Sequence, residues 1–427
     1  MRVERLAILS VHTSPLAPLG GKKTGGMNVY IAELARELGQ RGIAVDVYTR
    51  RTAPDQPEVD QALGDYVRVI NVSAGPLVSL DPNEVYPYLS QFAAGMVAFM
   101  TRYGLSYDLI YSHYWLSGWV ARKLNEIGGT PFAHMFHTLG HLKNRLVSPM
   151  IPIADERTSV ETQIVEWADR VIAATPAEES QLVWLYGARQ EKIVVVPPGV
   201  NTERFRPIPQ AQAKAALGIS PESNLLLFVG RIEPLKAVDV ILEAIALLKN
   251  NAKSLLANTH FAIIGGDPDN PGDSELSRLI RLSWELDLSH IVTFLGAKAQ
   301  SLLPNYYAAA TAVIMPSDYE SFGMVALEAM ASGAPVIGTQ VGGLAHLVRN
   351  GETGFLVPVR NSAALAERMA ILLADPNKRD ELGANAAKVA QEYRWSKIVD
   401  QLVAVLDEVA QNHPISRLNR GKNGNSN

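Results

Sequence analysis

The chain contains no cysteine. Disulfides, thiolate nucleophiles and cysteine-held zinc are therefore excluded. It also lacks any apolar run near the ~18 residues that cross a bilayer. The start, MRVERLAILSV, is charged and leads straight into a strand-length apolar run, unlike a secretory leader. Neither sign of charge dominates: 39 Lys and Arg face 43 Asp and Glu, so no global field recruits nucleic acid or an anionic membrane. Two phosphate-binding signatures are missing as well. No G-x-G-x-x-G follows the first strand, which argues against a nicotinamide cofactor. Gly21-Lys22 is followed by Lys23 where a P-loop requires Ser or Thr. A soluble, cytoplasmic protein without a bound cofactor is the expectation.

What is present is alternation. Apolar runs of strand length occur at Leu6–Val11, Val45–Thr49, Val67–Val72, Leu109–Ser112, Phe132–His137, Val171–Ala174 and Ile193–Val196. Between them lie helical patterns at Met27–Gln40, Glu84–Arg102, Leu116–Ile127 and 155–168. Pro197-Pro198-Gly199 through Pro207 breaks the rhythm and reads as a linker. The alternation restarts with strands at Leu225–Val229, Phe261–Ile264, Ile291–Leu295, Ala312–Met315 and Val336–Gly338, and ends in an amphipathic helix, Trp395–Val409. Strands separated by helices predict parallel, doubly wound sheets. The expected fold class is α/β with two Rossmann-like domains, 1–197 and 198–393, facing across a cleft, and a tail, 413–427, that is too polar to pack. Ligands of such sheets gather at the carboxyl ends of the strands.

The chemistry-bearing residues fall at those ends. After Ala312–Met315 comes a polar turn with Glu320, then a helix carrying Glu328. A helix start offers free N–H groups to an anion, so Phe322, Gly323, Met324 and Val325 are candidates beside a diphosphate, with the two carboxylates for hydroxyl-rich groups on either side. Taken singly, either Glu is an ordinary capping or surface acid; the spacing within strand, turn and helix is what points to a site. Gly230, Arg231 and Lys236 follow another strand, where two cations five residues apart can clamp a diphosphate leaving group. Gly25 and Gly26 allow backbone to approach phosphate or sugar closely. Gly265-Gly266 and Gly296-Ala297-Lys298 end two further strands and read equally as tight turns or as a nucleoside pocket. Tyr114 offers a flat wall to a sugar face. His137 can donate to a hydroxyl or leaving group, whereas His134 reads as structural. Arg157 and Glu161 stand at i, i+4, the spacing of a surface ion pair.

The run E-S-F-G-M-V-A-L-E-A, from Glu320 to Ala329, resembles the Glu-x7-Glu signature of retaining glycosyltransferases of family 4. SVHTSPL and GGMNVY are similar to the inositol-phosphate enzymes within that family. The resemblance implies the GT-B fold, with 394–412 crossing back onto the first domain. It implies that Glu320 contacts the donor sugar, Glu328 the ribose, and Arg231 and Lys236 the β-phosphate. His137 would bind the donor sugar. Gly26, Asn28, Tyr114, Thr138, Lys143 and Arg157 would hold a phosphorylated acceptor. No metal is required, and Mg²⁺ on the diphosphate is optional. One departure matters: where the inositol-phosphate enzymes carry a Lys after the AGP loop, this chain has Asp81-Pro82. The first expectation is accordingly transfer of glucose from UDP-glucose to fructose 6-phosphate, as in sucrose-phosphate synthases. The alternative is UDP-N-acetylglucosamine with D-inositol 3-phosphate. Outside the class stand a UDP-N-acetylglucosamine 2-epimerase, whose family lacks this Glu-x7-Glu context, and a sugar-nucleotide-binding subunit without turnover.

Overall fold

The computed structural model describes residues 3–17, 25–147, 156–267 and 274–412; the expected tail, 413–427, lies outside them. These residues form two compact units. The first comprises 3–17, 27–197 and 395–412, the second 25–26 and 198–394.

The first unit holds an eight-stranded sheet. Its strands are β1 (Arg5–Leu9), β2 (Ala44–Arg50), β3 (Val59–Asp60), β4 (Val67–Val72), β5 (Leu109–His113), β6 (Phe132–Met135), β7 (Arg170–Ala173) and β8 (Ile193–Val195). They lie in the order β3-β4-β2-β1-β5-β6-β7-β8, all parallel except the short edge strand β3. The second unit holds six parallel strands: β9 (Asn224–Val229), β10 (Thr259–Ile264), β11 (Val292–Gly296), β12 (Ala312–Met315), β13 (Val336–Thr339) and β14 (Gly354–Val357). Their order is β11-β10-β9-β12-β13-β14. Both sheets are doubly wound, and strand order reverses at β1/β5 in the first and at β9/β12 in the second. Those reversals leave the crevices where ligands of open α/β sheets bind.

Burial explains why the strands read as continuous apolar runs. Every residue of β12 and β13 is buried, as expected of parallel strands covered on both faces. The last helix, Trp395–Asn412, belongs to the first unit. Arg41 Nη2 donates to the Ser396 carbonyl at 2.7 Å, the Val3 N–H to Asp407 Oδ1 at 2.7 Å, and the Trp395 ring lies 5.4 Å from that of Tyr30.

Local structure departs from the sequence expectation in several places. The single helix expected over Glu84–Arg102 is broken into a helix Pro82–Val85, a 3₁₀ turn Tyr86–Tyr88 and a helix Leu89–Tyr103. Pro87 lacks the N–H that would continue the first piece. β6 stops at Met135, so His137 does not end the strand; it lies two residues beyond, in a left-handed conformation with φ 61°. β14 was not foreseen. It packs so tightly on β13 that a Cβ at Gly354 would lie 2.1 Å from the Val336 carbonyl oxygen.

Candidate functional site

In the second unit the candidate residues converge on the β9/β12 crevice. Gly230-Arg231 leaves β9 and leads through a 3₁₀ turn, Pro234–Lys236, while the 316–323 turn leaves β12 and ends at the helix Met324–Ala331. The two turns are fastened together. The Asp318 N–H donates to the Leu235 carbonyl at 2.9 Å, and Lys236 Nζ reaches Glu320 Oε2 at 2.5 Å. Thus the cation expected at the β-phosphate and the carboxylate expected at the donor sugar pair with each other here. Arg231 pairs with Glu233 at 2.6 Å and is partly exposed. Gly25, which groups with this unit, lies against it: a Cβ there would come 3.7 Å from Arg231 Nε. A Cβ at Gly26 would come 3.3 Å from Met324 Cγ.

The Glu320 turn is held from behind by glycines. The Gly343 N–H donates to the Glu320 carbonyl at 3.0 Å. A Cβ at Gly342 would sit 2.0 Å from that same oxygen, and one at Gly343 would sit 2.0 Å from the Phe322 oxygen and 2.1 Å from its Cα. Only bare backbone fits between them. Phe322 is a buried anchor whose ring lies 6.1 Å from Tyr393, so its side chain serves the core. Gly323, at φ 101°, turns the chain into the following helix, and no side chain caps its first N–H groups. Met324 and Val325 are half-buried at that start. Glu328, one turn inside the helix, is buried, and accepts from Tyr307 Oη at 2.9 Å and Gln300 Nε2 at 3.4 Å; Arg204 in turn holds Gln300 at 2.7 Å. Lys298 follows the edge strand β11, two strands from β9. Beside it, Gly265 passes so close to β9 that a Cβ would lie 1.8 Å from the Gly230 oxygen.

Sequence reasoning missed Arg360. This residue bonds Asp318 through Nε at 2.9 Å, Asp239 at 3.1 Å and the Pro234 carbonyl at 3.2 Å, so it spans both turns. Its φ of 53° is unusual for a residue with a side chain, and backbone strain of this kind gathers at functional sites. A lone Arg after a short strand carries no local signal of such a role.

In the first unit three expected acceptor residues come together. Arg157 donates to Tyr114 Oη at 3.2 Å, to the Thr138 carbonyl at 2.6 Å and to Thr138 Oγ1 at 3.0 Å, and stacks 4.9 Å from the Tyr114 ring. Its pair with Glu161, at 2.7 Å, is not a surface pair: Arg157 is 6% exposed and Glu161 is fully buried. Burial works against the guanidinium charge, but the Glu161 carboxylate outweighs it and the pKa is raised. Glu161 also accepts from the Gly140 N–H at 2.9 Å and from Tyr186 Oη at 2.5 Å. Tyr114, like His137, has a left-handed backbone, with φ 72°. Two expectations fare differently. The Asn28 amide is occupied by Thr13 Oγ1 and the Ser14 carbonyl, each at 2.7 Å, which ties down the loop after β1. Lys143 stands exposed on the helix Gly140–Val147. At the departure noted above, the Asp81 N–H donates to Glu84 Oε2 at 2.7 Å, so this segment caps the helix Pro82–Val85.

Four histidines gather beside this cluster. His134 is sealed and bonds Ser112 Oγ at 2.8 Å, in keeping with a structural part. His113 Nδ1 lies 2.9 Å from His137 Nε2, and the His12 ring lies 4.4 Å from Tyr114. Burial first, then neighbouring charge, pushes His134 and His137 down to about 3 and His113 well below its ordinary value. All three rings are neutral at ordinary pH. Among the described residues, no three His, Cys, Asp or Glu side chains are grouped to hold a metal ion, and no helix is long and apolar enough to cross a membrane.

Residues 24–204 match the family model described as glycosyltransferase family 4, and residues 209–389 match glycosyl transferases group 1. The chain is 41% identical to a D-inositol 3-phosphate glycosyltransferase from Kineococcus radiotolerans, over 97% of this chain and 98% of that one. A protein of the same description from Thermobispora bispora is also 41% identical, with 96% of each chain covered. Among solved structures, the sucrose-phosphate synthase of Thermosynechococcus elongatus superposes with a TM-score of 0.87 at 34% identity, covering 95% of this chain and 99% of that one.

Proposed function

We propose a substrate pair for this chain, which belongs to the family 4 glycosyltransferases of GT-B fold: a UDP-sugar donor, UDP-N-acetylglucosamine, and D-inositol 3-phosphate as acceptor. The observation that carries the acceptor is end-to-end identity of 41% with chains described as D-inositol 3-phosphate glycosyltransferases, against 34% with the sucrose-phosphate synthase. The expectation that put fructose 6-phosphate first therefore yields to its alternative.

In this reading Arg231, Lys236 and the N–H groups that open the helix Met324–Ala331 stabilise the charge that develops on the departing diphosphate. Lys236 exchanges its Glu320 partner for phosphate, which frees the Glu320 carboxylate to orient sugar hydroxyls. Glu328, held by Tyr307 and Gln300, accepts from the ribose. Tyr114, Thr138 and Arg157 form a phosphate grip, with Arg157 as its charged fork. Attack from the face the diphosphate leaves retains anomeric configuration, and the leaving phosphate takes the acceptor proton. Glu320 then positions the sugar and is no nucleophile.

The second reading, glucose transfer from UDP-glucose to fructose 6-phosphate, is favoured by the helix cap at Asp81-Pro82, where the inositol-phosphate enzymes carry a Lys. UDP release should be measured with both donors, each with D-inositol 3-phosphate, fructose 6-phosphate and no acceptor. Release dependent on D-inositol 3-phosphate supports the proposal. Release dependent on fructose 6-phosphate replaces it with the second reading, and conversion of donor without any acceptor refutes both.

A further inference from the structure

His113 and His137 share one proton between Nδ1 and Nε2 across 2.9 Å, and both rings are neutral. Which ring donates follows from the far side of His113. Its Nε2 is buried and meets no partner among the described residues. If His137 Nε2 donated, His113 would carry its own proton on that sealed Nε2, as an N–H with no acceptor. Orphaned buried N–H groups are rare because their whole desolvation penalty stands uncompensated. If His113 Nδ1 donates instead, only a bare lone pair faces the core.

We infer that His113 is a positioning residue: its Nδ1–H holds His137 in the tautomer protonated at Nδ1, so that His137 presents a neutral N–H donor. Aromatic rings restrain both imidazoles. The Tyr30 ring lies 5.5 Å from His113 and 5.2 Å from His137, and is itself backed by Trp395; the Tyr111 ring lies 4.2 Å from His113. The Tyr30 and Tyr111 hydroxyls bond each other at 3.0 Å and so compete for neither imidazole. His137 is half-buried, and its left-handed backbone is held against this wall. The role rests on the proposed function, in which His137 meets the donor sugar. A neutral N–H can bond a sugar hydroxyl, whereas an imidazolium would oppose the positive charge that develops at the anomeric carbon.

The tautomer is readable without substrate. In full-length protein labelled with ¹⁵N-histidine, long-range ¹H–¹⁵N spectra report which nitrogen of each ring is protonated, and His137→Gln identifies the His137 signals. Protonation of His137 at Nδ1 is expected; protonation at Nε2 overturns the inference. Turnover supplies the second readout. His113→Asn places an amide donor near the position of Nδ1 and should keep kcat within about threefold, whereas His113→Phe should lower it about tenfold to a hundredfold. Equal kcat for His113→Phe and the unmodified protein overturns the inference. Should His113→Phe not fold, the tautomer of the unmodified protein decides alone. An Nδ1-protonated His137 in a protein that releases no UDP would count against the proposed function and leave the tautomer standing.

Discussion

Gly343→Ala is the sharpest perturbation of the Glu320 turn. The added methyl would start 2.0 Å from the Phe322 oxygen, 2.1 Å from its Cα and 2.3 Å from its carbonyl carbon. Real Cβ atoms keep at least ~3.4 Å from such neighbours, so the backbone must separate by more than about 1 Å. The obstacle is backbone, and no rotamer relieves it. The shift also breaks the 3.0 Å bond from the Gly343 N–H to the Glu320 carbonyl. Overpacking costs about 1–3 kcal/mol and the lost bond about 0.5–1.5 kcal/mol. At roughly 2–4 °C per kcal/mol for a unit of this size, Tm should fall by about 3–18 °C. Function should suffer more than stability, because a ~1 Å displacement of a positioning group costs about 10²-fold in rate. The assay is UDP release at saturating donor on protein shown to be folded below its new Tm. Gly351→Ala is the control. It strains a left-handed glycine, φ 79°, which Gly343 is not, but a Cβ there meets nothing within 4 Å, so stability should fall by about 1 kcal/mol with kcat unchanged. Gly343→Ala with an unaltered kcat would refute the claim that Gly343 holds Glu320 in place.

Other expectations follow from the same geometry. Lys236→Ala should lower kcat by about 10²–10³, the scale for one preorganised charge, with a smaller change in donor KM; near-normal kcat would remove Lys236 from the leaving group. Arg360→Ala should unfasten the two turns and raise donor KM about threefold to tenfold while costing only a few degrees of Tm, with Arg360→Lys recovering part; unchanged KM would make Arg360 a surface residue only. Arg157→Ala should destabilise by about 3–5 kcal/mol, because Glu161 is left buried and unpaired. The pair Arg157→Met with Glu161→Gln should restore most stability yet keep acceptor KM raised about tenfold to a hundredfold with UDP affinity intact; a normal acceptor KM in that double variant would dismiss the phosphate grip.

Acid should act through buried groups of opposite sense. Above pH 6.5, His113 and His134 are neutral whether folded or not. Below it the unfolded chain takes up protons that the sealed rings refuse, so stability is lost as pH falls toward the folded value of His134, about 3. Each contributes about 1.4 kcal/mol per pH unit. The buried Glu178 carboxyl, pushed up to about 7, works the other way: its contribution is full below the ordinary carboxyl range and lost as pH rises through 7. Between pH 6.5 and 5 it offsets one histidine. Glu178→Gln should therefore steepen the loss of stability in urea titrations across that range, and an unchanged slope would mean that the carboxyl is not protonated in the fold.

Much of the fold was legible because the signals are local. β12 coincides with its apolar run, since a strand covered on both faces of a parallel sheet needs only continuous hydrophobicity. The turn-then-helix after β12 follows from Glu320, Gly323 and the periodic run behind them. Some misses were also local. Pro87 forbade one long helix, and β14, four residues flanked by turns, was too short for its pattern to stand out.

The partners were not legible. Glu320 meets Lys236 across 84 residues because sheet order sets β9 beside β12, and no periodicity encodes that order. Arg157 and Glu161 had the spacing of a surface pair; the packing of Tyr114, Thr138 and Tyr186 around them made it a buried one. Propensity and capping act over a turn or two of chain and determine elements. Burial, pairing and proton position depend on which elements the sheet brings side by side, so they arise only when the whole unit is assembled.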